Sequence, residues 1–253
     1  MATFVLVHGG WGGGWEWRFV APRLAERGHD VYRPTLTGLG ERRHLGRAET
    51  NLDTHIEDVV AVLETEELTS VILVGQSYGG AVVTGVVDRV PERLARVVYL
   101  DAFVPRPGQT VNELSGARFA DRVRQLATER GDGWQAPIPF TDEQIVDGMP
   151  AEHHEWYLRH MGPHPLGTLE QPFHARGGGD DVPRTYVSHR PEGVTSWAFD
   201  QFEQRAREEG WDVRSLPVGH DAQVIAPERL ADLLDELASI PAGVPSDSAG
   251  PSA

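Results

Sequence analysis

The sequence predicts an α/β protein, a mostly parallel sheet of about six strands with helices on both faces and a helical insertion. Short runs rich in Val, Leu and Tyr recur along the chain, helical spacings fall between them, and one long middle segment breaks the alternation. Strands separated by helices pair in parallel, and a parallel sheet must be covered on both sides.

The strand runs are residues 4–7, 30–33, 71–74, 97–100, 185–187 and 213–216. Between the first two, Pro22 opens a short helix that Gly28 ends. Ile56, Val59, Val60 and Leu63 fall at i, i+3, i+4 and i+7, the stripe of a helix lying on a sheet, with Asn51 or Thr54 as its N-cap. An apolar helix over 81–87 follows the third strand, and Leu230, Leu233, Leu234 and Leu237 repeat the helical spacing after Pro227. Residues 104–179 offer helices near 117–130 and 151–161 between Gly- and Pro-rich turns, and no convincing strand. They are expected to form a cap on a core of residues 1–103 and 180–240, with Gly177, Gly178 and Gly179 as the return. Residues 241–253, mostly Pro, Gly, Ser and Ala, predict a disordered tail.

Composition narrows the function. The 253 residues suit one large core with an insertion. With 23 basic against 38 acidic residues the net charge is −15, which repels nucleic-acid phosphate and anionic lipid, so the expected partner is a small-molecule substrate. Cysteine is absent, which removes disulfides, thiolate nucleophiles and Cys-based zinc sites. Lysine is absent too, so all 23 basic residues are arginine and Schiff-base chemistry is excluded. The longest early apolar run, residues 4–7, is too short for a membrane span or a signal segment, and a cytoplasmic chain is expected. A homodimer is the candidate assembly.

Gly75-Gln76-Ser77-Tyr78-Gly79 fits G-x-S-x-G and lies between a strand and an apolar helix, the context the motif requires. A sharp strand-to-helix turn crowds its flanks, so glycines there leave room and Ser77 is exposed as a nucleophile. The bland alternative is a glycine-rich turn with an incidental serine. His8-Gly9-Gly10-Trp11 closes the first strand, where glycines let a backbone N–H face an oxyanion. Gly10 and Tyr78 are the expected oxyanion pair, with His8 in support. His220, in Leu216-Pro217-Val218-Gly219-His220-Asp221 after the last strand, is the candidate base. Two carboxylates compete to orient it: Glu192, the first after the strand ending near Val187, is preferred, and Asp101, closing the strand 97–100, is the alternative. His8, Trp11, Trp134 and Trp156 are expected to line the substrate pocket, with Trp15, Trp17, Tyr157 and Phe173 as further aromatic candidates and ordinary core packing as the alternative for most of them. The cap histidines His153, His154, His160 and His164 match no metal motif, and neither metal nor cofactor is expected.

The stretches FVLVHGGWGGGWEW, RPTLTGLGERRHL, VILVGQSYGG, VVYLDAFVP and LPVGHDAQVIAPERL give the chain a resemblance to the α/β-hydrolases, in the branch of hydroxynitrile lyases and plant methylesterases (salicylate-binding), and more closely to bacterial members of it. They span most of the core and little of the cap. The resemblance implies an α/β-hydrolase fold, a Ser77–His220 dyad, oxyanion donors Gly10 and Tyr78, and an acid where Glu192 stands, although relatives usually carry Asp there. Cyanohydrin-cleaving relatives place a lysine directly after the histidine, whereas here Asp221 would repel cyanide. The expected activity is hydrolysis of a small ester or lactone with an apolar or aromatic body through an acyl-enzyme. The alternatives are a lyase or cyclase working on a natural-product skeleton in the same site, and a ligand-binding receptor.

Overall fold

The computed structural model describes residues 1–190 and 198–240, so the preferred acid Glu192 and the tail 241–253 lie outside the described residues. In chain order the core opens with β1 (Thr3–Val7), α1 (Ala21–Glu26), β2 (Asp30–Tyr32), α2 (Leu52–Thr65), β3 (Val71–Gln76), α3 (Gly79–Arg89) and β4 (Leu94–Leu100). An insert follows, with α4 (Val111–Leu114), α5 (Ala117–Arg130), β5 (Gln135–Ala136), α6 (Asp142–Ile145), α7 (Ala151–His160), β6 (His164–Pro165) and α8 (Gly167–Glu170). The chain returns through β7 (Arg184–Ser188), α9 (Asp200–Glu208), β8 (Asp212–Ser215), α10 (Ala222–Ile225) and α11 (Pro227–Ser239).

The six core strands form one sheet in the order β2-β1-β3-β4-β7-β8, and each neighbouring pair is parallel. Alternation along the strands divides the core in two. Phe4, Leu6, Ile72, Val74, Val98 and Leu100 pack with Leu24 of α1 and Leu230, Leu234 and Leu237 of α11. Their neighbours Val5, Val7, Leu73, Val97 and Tyr99 face the other way, onto Ile56, Val59 and Leu63 of α2 and Val82, Val83 and Val86 of α3. Both N-cap candidates of α2 take part: Asn51 Oδ1 accepts from Thr54 N–H at 3.0 Å, while Thr54 Oγ1 accepts from Asn51 N–H at 3.3 Å.

To the two expected helices the insert adds the three short ones α4, α6 and α8 and a small ladder. Residues Gln135–Ala136 and His164–Pro165 pair as a two-residue antiparallel ladder, too short to leave any period-two signal in the sequence. The order of the sheet also explains where a site can form. After β1 the chain moves to one side, to β2, and after β3 to the other, to β4, so the C-terminal ends of β1 and β3 flank a topological switch point where ligands enter open α/β sheets.

Candidate active site

Ser77 lies between the end of β3 and the start of α3 with φ 52°. A non-glycine residue in this region costs about 1–3 kcal/mol and persists only when its surroundings over-determine it. Here Ser77 N–H donates to Leu100 O at 3.1 Å, and Ser77 O accepts from Phe103 N–H at 3.0 Å. The flanking glycines are steric requirements: a β-carbon at Gly79 would sit 2.6 Å from His8 O, and one at Gly75 2.7 Å from Gly79 O.

Asp101 repeats this pattern one strand away. Directly after β4 it takes φ 44°, and its N–H donates to Val187 O at 2.8 Å. The Tyr186 hydroxyl pins the next residue, accepting from Ala102 N–H at 3.1 Å and donating to Ala102 O at 3.2 Å. The Asp101 carboxylate is fully buried, and its Oδ2 lies 2.6 Å from His220 Nδ1. With Nδ1–H committed to Asp101, Nε2 is the nitrogen left to accept a proton. His220 keeps 30% of its side-chain surface open, which leaves that edge reachable. Its carbonyl accepts from Gln76 Nε2 at 3.3 Å and from His189 Nδ1–H at 3.1 Å, and Phe199 stacks on the imidazole at 5.0 Å with planes 9° apart. Burial pushes the imidazolium down, but the Asp101 hydrogen bond and charge, with Asp221 behind them, outweigh it and leave the His220 pKa above its ordinary 6.5.

Gly9, Gly10, Ser77 and His220 line one cavity of about 350 Å³. A β-carbon at Gly10 would lie 3.7 Å from Tyr78 Cβ, so the two expected oxyanion residues are neighbours. Among the described residues neither the Gly10 nor the Tyr78 amide has a protein acceptor. The N-terminus of α3 stands behind them and favours negative charge there.

The expected lining needs correction. Trp11 does line the cavity, but His8, Trp134 and Trp156 do not. His8 is fully buried behind the loop, donating from Nδ1 to Gly9 O at 2.8 Å and accepting at Nε2 from Leu36 N–H at 3.1 Å. Burial lowers its pKa to about 4, so it stays neutral. Trp134 borders a separate small cleft with Gly38, Arg43 and Pro165. Trp156 points to the other side of α7, edge-on to Trp15 at 5.2 Å with Arg18 over its ring at 4.8 Å. One residue on a helix turns the side chain by about 100°, so its neighbour Tyr157 reaches the cavity instead.

Sequence reading missed most of the walls. Phe103, Phe119, Phe140, Ile145, Met161 and Phe199 supply the apolar surface, mostly from segments without strong periodicity. It also missed an acidic end. Glu16, almost fully buried, and Asp221 both line the cavity, bridged by Gln223 Nε2 at 3.3 Å from Glu16 Oε2 and from Asp221 Oδ1. Burial and then the Asp221 charge raise the Glu16 pKa well above the carboxylate range, and burial raises that of Asp221 against the pull of His220. A carboxylate beside an apolar segment, as in Trp15-Glu16-Trp17, was the signal available. Among the described residues no three His, Asp or Glu are placed to hold a metal ion, and no helix is long and apolar enough to cross a membrane.

Comparison with known proteins agrees with this fold. Residues 4–233 match the model of the alpha/beta hydrolase family. A carbendazim hydrolyzing esterase of Nocardioides sp. (strain SG-4G) is 40% identical over 250 residues, 94% of this chain and 100% of that protein. A pyrethroid hydrolase of Sphingobium wenxiniae is 28% identical over 259 residues, covering 96% and 89% of the two chains. Among solved structures, an extracellular alpha/beta-hydrolase from a Paenibacillus species superposes with a TM-score of 0.80 at 22% identity, over 93% of this chain and 98% of that one. With an all-parallel sheet, a strained serine at the switch point and relatives matching nearly end to end, the chain belongs to the alpha/beta hydrolase family.

Proposed function

We propose that this protein is a carboxylic ester hydrolase that cleaves small esters or methyl carbamates with an aromatic body through an acyl-enzyme on Ser77. The observation that carries the reading is the 2.6 Å contact between buried Asp101 and His220 Nδ1, in a cavity that His220 shares with Ser77. Ser77 Oγ attacks the carbonyl carbon and passes its proton to His220 Nε2. The carbonyl oxygen, now an oxyanion, accepts from the Gly10 and Tyr78 amides. The C–O bond to the leaving group breaks as His220 returns the proton to that oxygen. A water deprotonated by the same nitrogen then attacks the acyl-enzyme, releasing the acid and restoring Ser77.

Asp101 takes the role first expected of Glu192. Its carboxylate holds the imidazole in the Nδ1–H tautomer and stabilises the imidazolium. The insert acts as the cap, since Phe119, Phe140, Ile145 and Tyr157 close the side of the cavity opposite the sheet. The flat aromatic walls suit a planar body. The 40%-identical relative is named for carbendazim hydrolysis, which favours a methyl carbamate on an aromatic heterocycle. The Asp221 carboxylate beside His220 disfavours substrates carrying a free carboxylate. A cytoplasmic location fits a chain without cysteine.

The test is turnover of p-nitrophenyl butyrate and methyl arylcarbamates by wild type, Ser77→Ala, Asp101→Asn and Glu192→Gln. Ser77→Ala should lose about 10⁴- to 10⁶-fold in kcat and Asp101→Asn about 10⁴-fold, with Glu192→Gln within about threefold of wild type. Collapse in Glu192→Gln with Asp101→Asn unaffected would reverse the acid assignment.

A further inference from the structure

Trp11 follows the expected oxyanion residue Gly10 and adopts φ 62°, a left-handed conformation that favours glycine. Three bonds hold it there, and all three come from the insert. Trp11 N–H donates to His164 Nδ1 at 3.1 Å, Trp11 O accepts from Gly162 N–H at 2.9 Å, and the indole Nε1–H donates to Ala136 O at 2.9 Å. Ala136 and His164 are register partners in the β5–β6 ladder, so one small ribbon grips the residue at both its backbone and its ring.

His164 is suited to a single role in this clamp. It is fully buried, and its Nε2 lies 2.6 Å from Thr168 Oγ1. The Thr168 hydroxyl proton is already given to Pro165 O at 2.8 Å, so Oγ1 can only accept. The ring therefore carries its proton on Nε2 and presents a bare Nδ1 to the Trp11 amide. Burial first, then the neighbouring His55 and His8, hold its pKa well below 6.5, so the acceptor persists at neutral pH. The same ring lies beneath both oxyanion residues. A β-carbon at Gly10 would be 3.7 Å from Nδ1, and the Tyr78 ring packs edge-on to the imidazole at 4.7 Å. Tyr78 is fixed in turn at its hydroxyl, which donates to His55 Nδ1 at 2.8 Å.

We propose that His164 is a positioning residue for the oxyanion hole: by accepting the Trp11 amide it fixes the strained loop, so that the Gly10 N–H faces the carbonyl oxygen above Ser77. The cap thereby contributes to the chemistry as well as to the walls. The inference rests on reading Gly10 and Tyr78 as oxyanion donors in an ester hydrolase.

The experiment measures kcat and KM for p-nitrophenyl butyrate, and the rate of Ser77 labelling by a fluorophosphonate, in wild type, His164→Leu and His164→Asn. Asn can place its Oδ1 near the lost Nδ1, whereas Leu only fills the space. His164→Leu should lower kcat and labelling about 10- to 100-fold with KM within about threefold, since misplacing an oxyanion donor acts on the transition state. His164→Asn should recover most of that loss. Unchanged kcat in folded His164→Leu, equal losses in both variants, or a loss confined to KM overturns the proposal. If His164→Leu fails to fold, Thr168→Val frees the tautomer while preserving volume; about a three- to tenfold fall in kcat is expected, and none overturns the proposal. If wild type turns over no ester and Ser77 is not labelled, the hydrolase reading fails and the inference with it. Normal wild-type activity beside an indifferent His164 variant sinks the inference alone.

Discussion

The rim of the sheet and the insert both line one cavity, and they build their parts of it in different ways. At the rim, Ser77 and Asp101 sit one residue past β3 and β4, each with positive φ and each with its amide bonded to a neighbouring strand. Their positions follow from the register of an all-parallel sheet and have little freedom. In the insert, Phe119, Ile145 and Tyr157 come from three separate helices and Phe140 from a connecting segment; Phe119 and Phe140 meet ring to ring, and Ile145 and Tyr157 belong to one apolar cluster. Backbone hydrogen bonds fix direction and distance, whereas apolar contacts fix mainly volume. The rim is therefore suited to set the rate and the insert to set what binds. The Trp11 clamp is where the two meet, because insert residues there form directional bonds to a rim loop.

Substitutions can break this contrast, beginning with the largest effect. Gly79→Val places a branched side chain against His8 O and Val7 O, and must shift either the Ser77 turn or β1. A displacement of about 1 Å costs about 100-fold, so kcat/KM for p-nitrophenyl butyrate should fall at least that far, with kcat carrying most of the loss. A drop confined to KM would show that the rim is not the rigid partner.

The pH profile sharpens the contrast at the base. The His220 pKa is raised, mainly because Asp101 outweighs burial, and only neutral imidazole can accept the Ser77 proton. The acid limb of kcat/KM should therefore lie above pH 6.5, activity falling as pH drops through it. In Asp101→Asn burial is opposed only by Asp221, so the limb of the residual activity should move to lower pH. A limb that stays in place would mean that a different group titrates.

The smallest effects belong to the insert. Phe119 packs against both Trp11 and Phe140 in the cavity wall, and Phe119→Ala should raise KM for an aryl ester about three- to tenfold with kcat within about twofold. Trp156→Ala, on the far side of α7, should leave both constants within about twofold while lowering the melting temperature. Equal effects of the two truncations would dissolve the distinction between lining and support.

The strands, the Ser77 turn and the helical stripes of α2 and α11 were legible because each is a local pattern: a short apolar run, a 3.6-residue periodicity, or glycines where a turn admits no side chain. The wall residues were not, since Trp134 and Trp156 differ from Trp11 only in which way their backbone turns them. The carboxylate that meets His220 was half legible. Both carboxylates follow strands, and nothing local states that Asp101, one strand from Ser77, turns back at positive φ to meet a histidine 119 positions later.

By itself the sequence determined an α/β sheet with a serine at a glycine-flanked strand-to-helix turn, a late histidine and a glycine-rich loop after the first strand, since these depend on spacing and backbone sterics within a few residues. Only the tertiary structure decided that Asp101 meets His220, that Glu16 and Asp221 share a buried end of the cavity, and that His164 grips Trp11. Each of those contacts joins residues far apart in the chain, where pairing is set by the packing of whole elements and leaves no local trace.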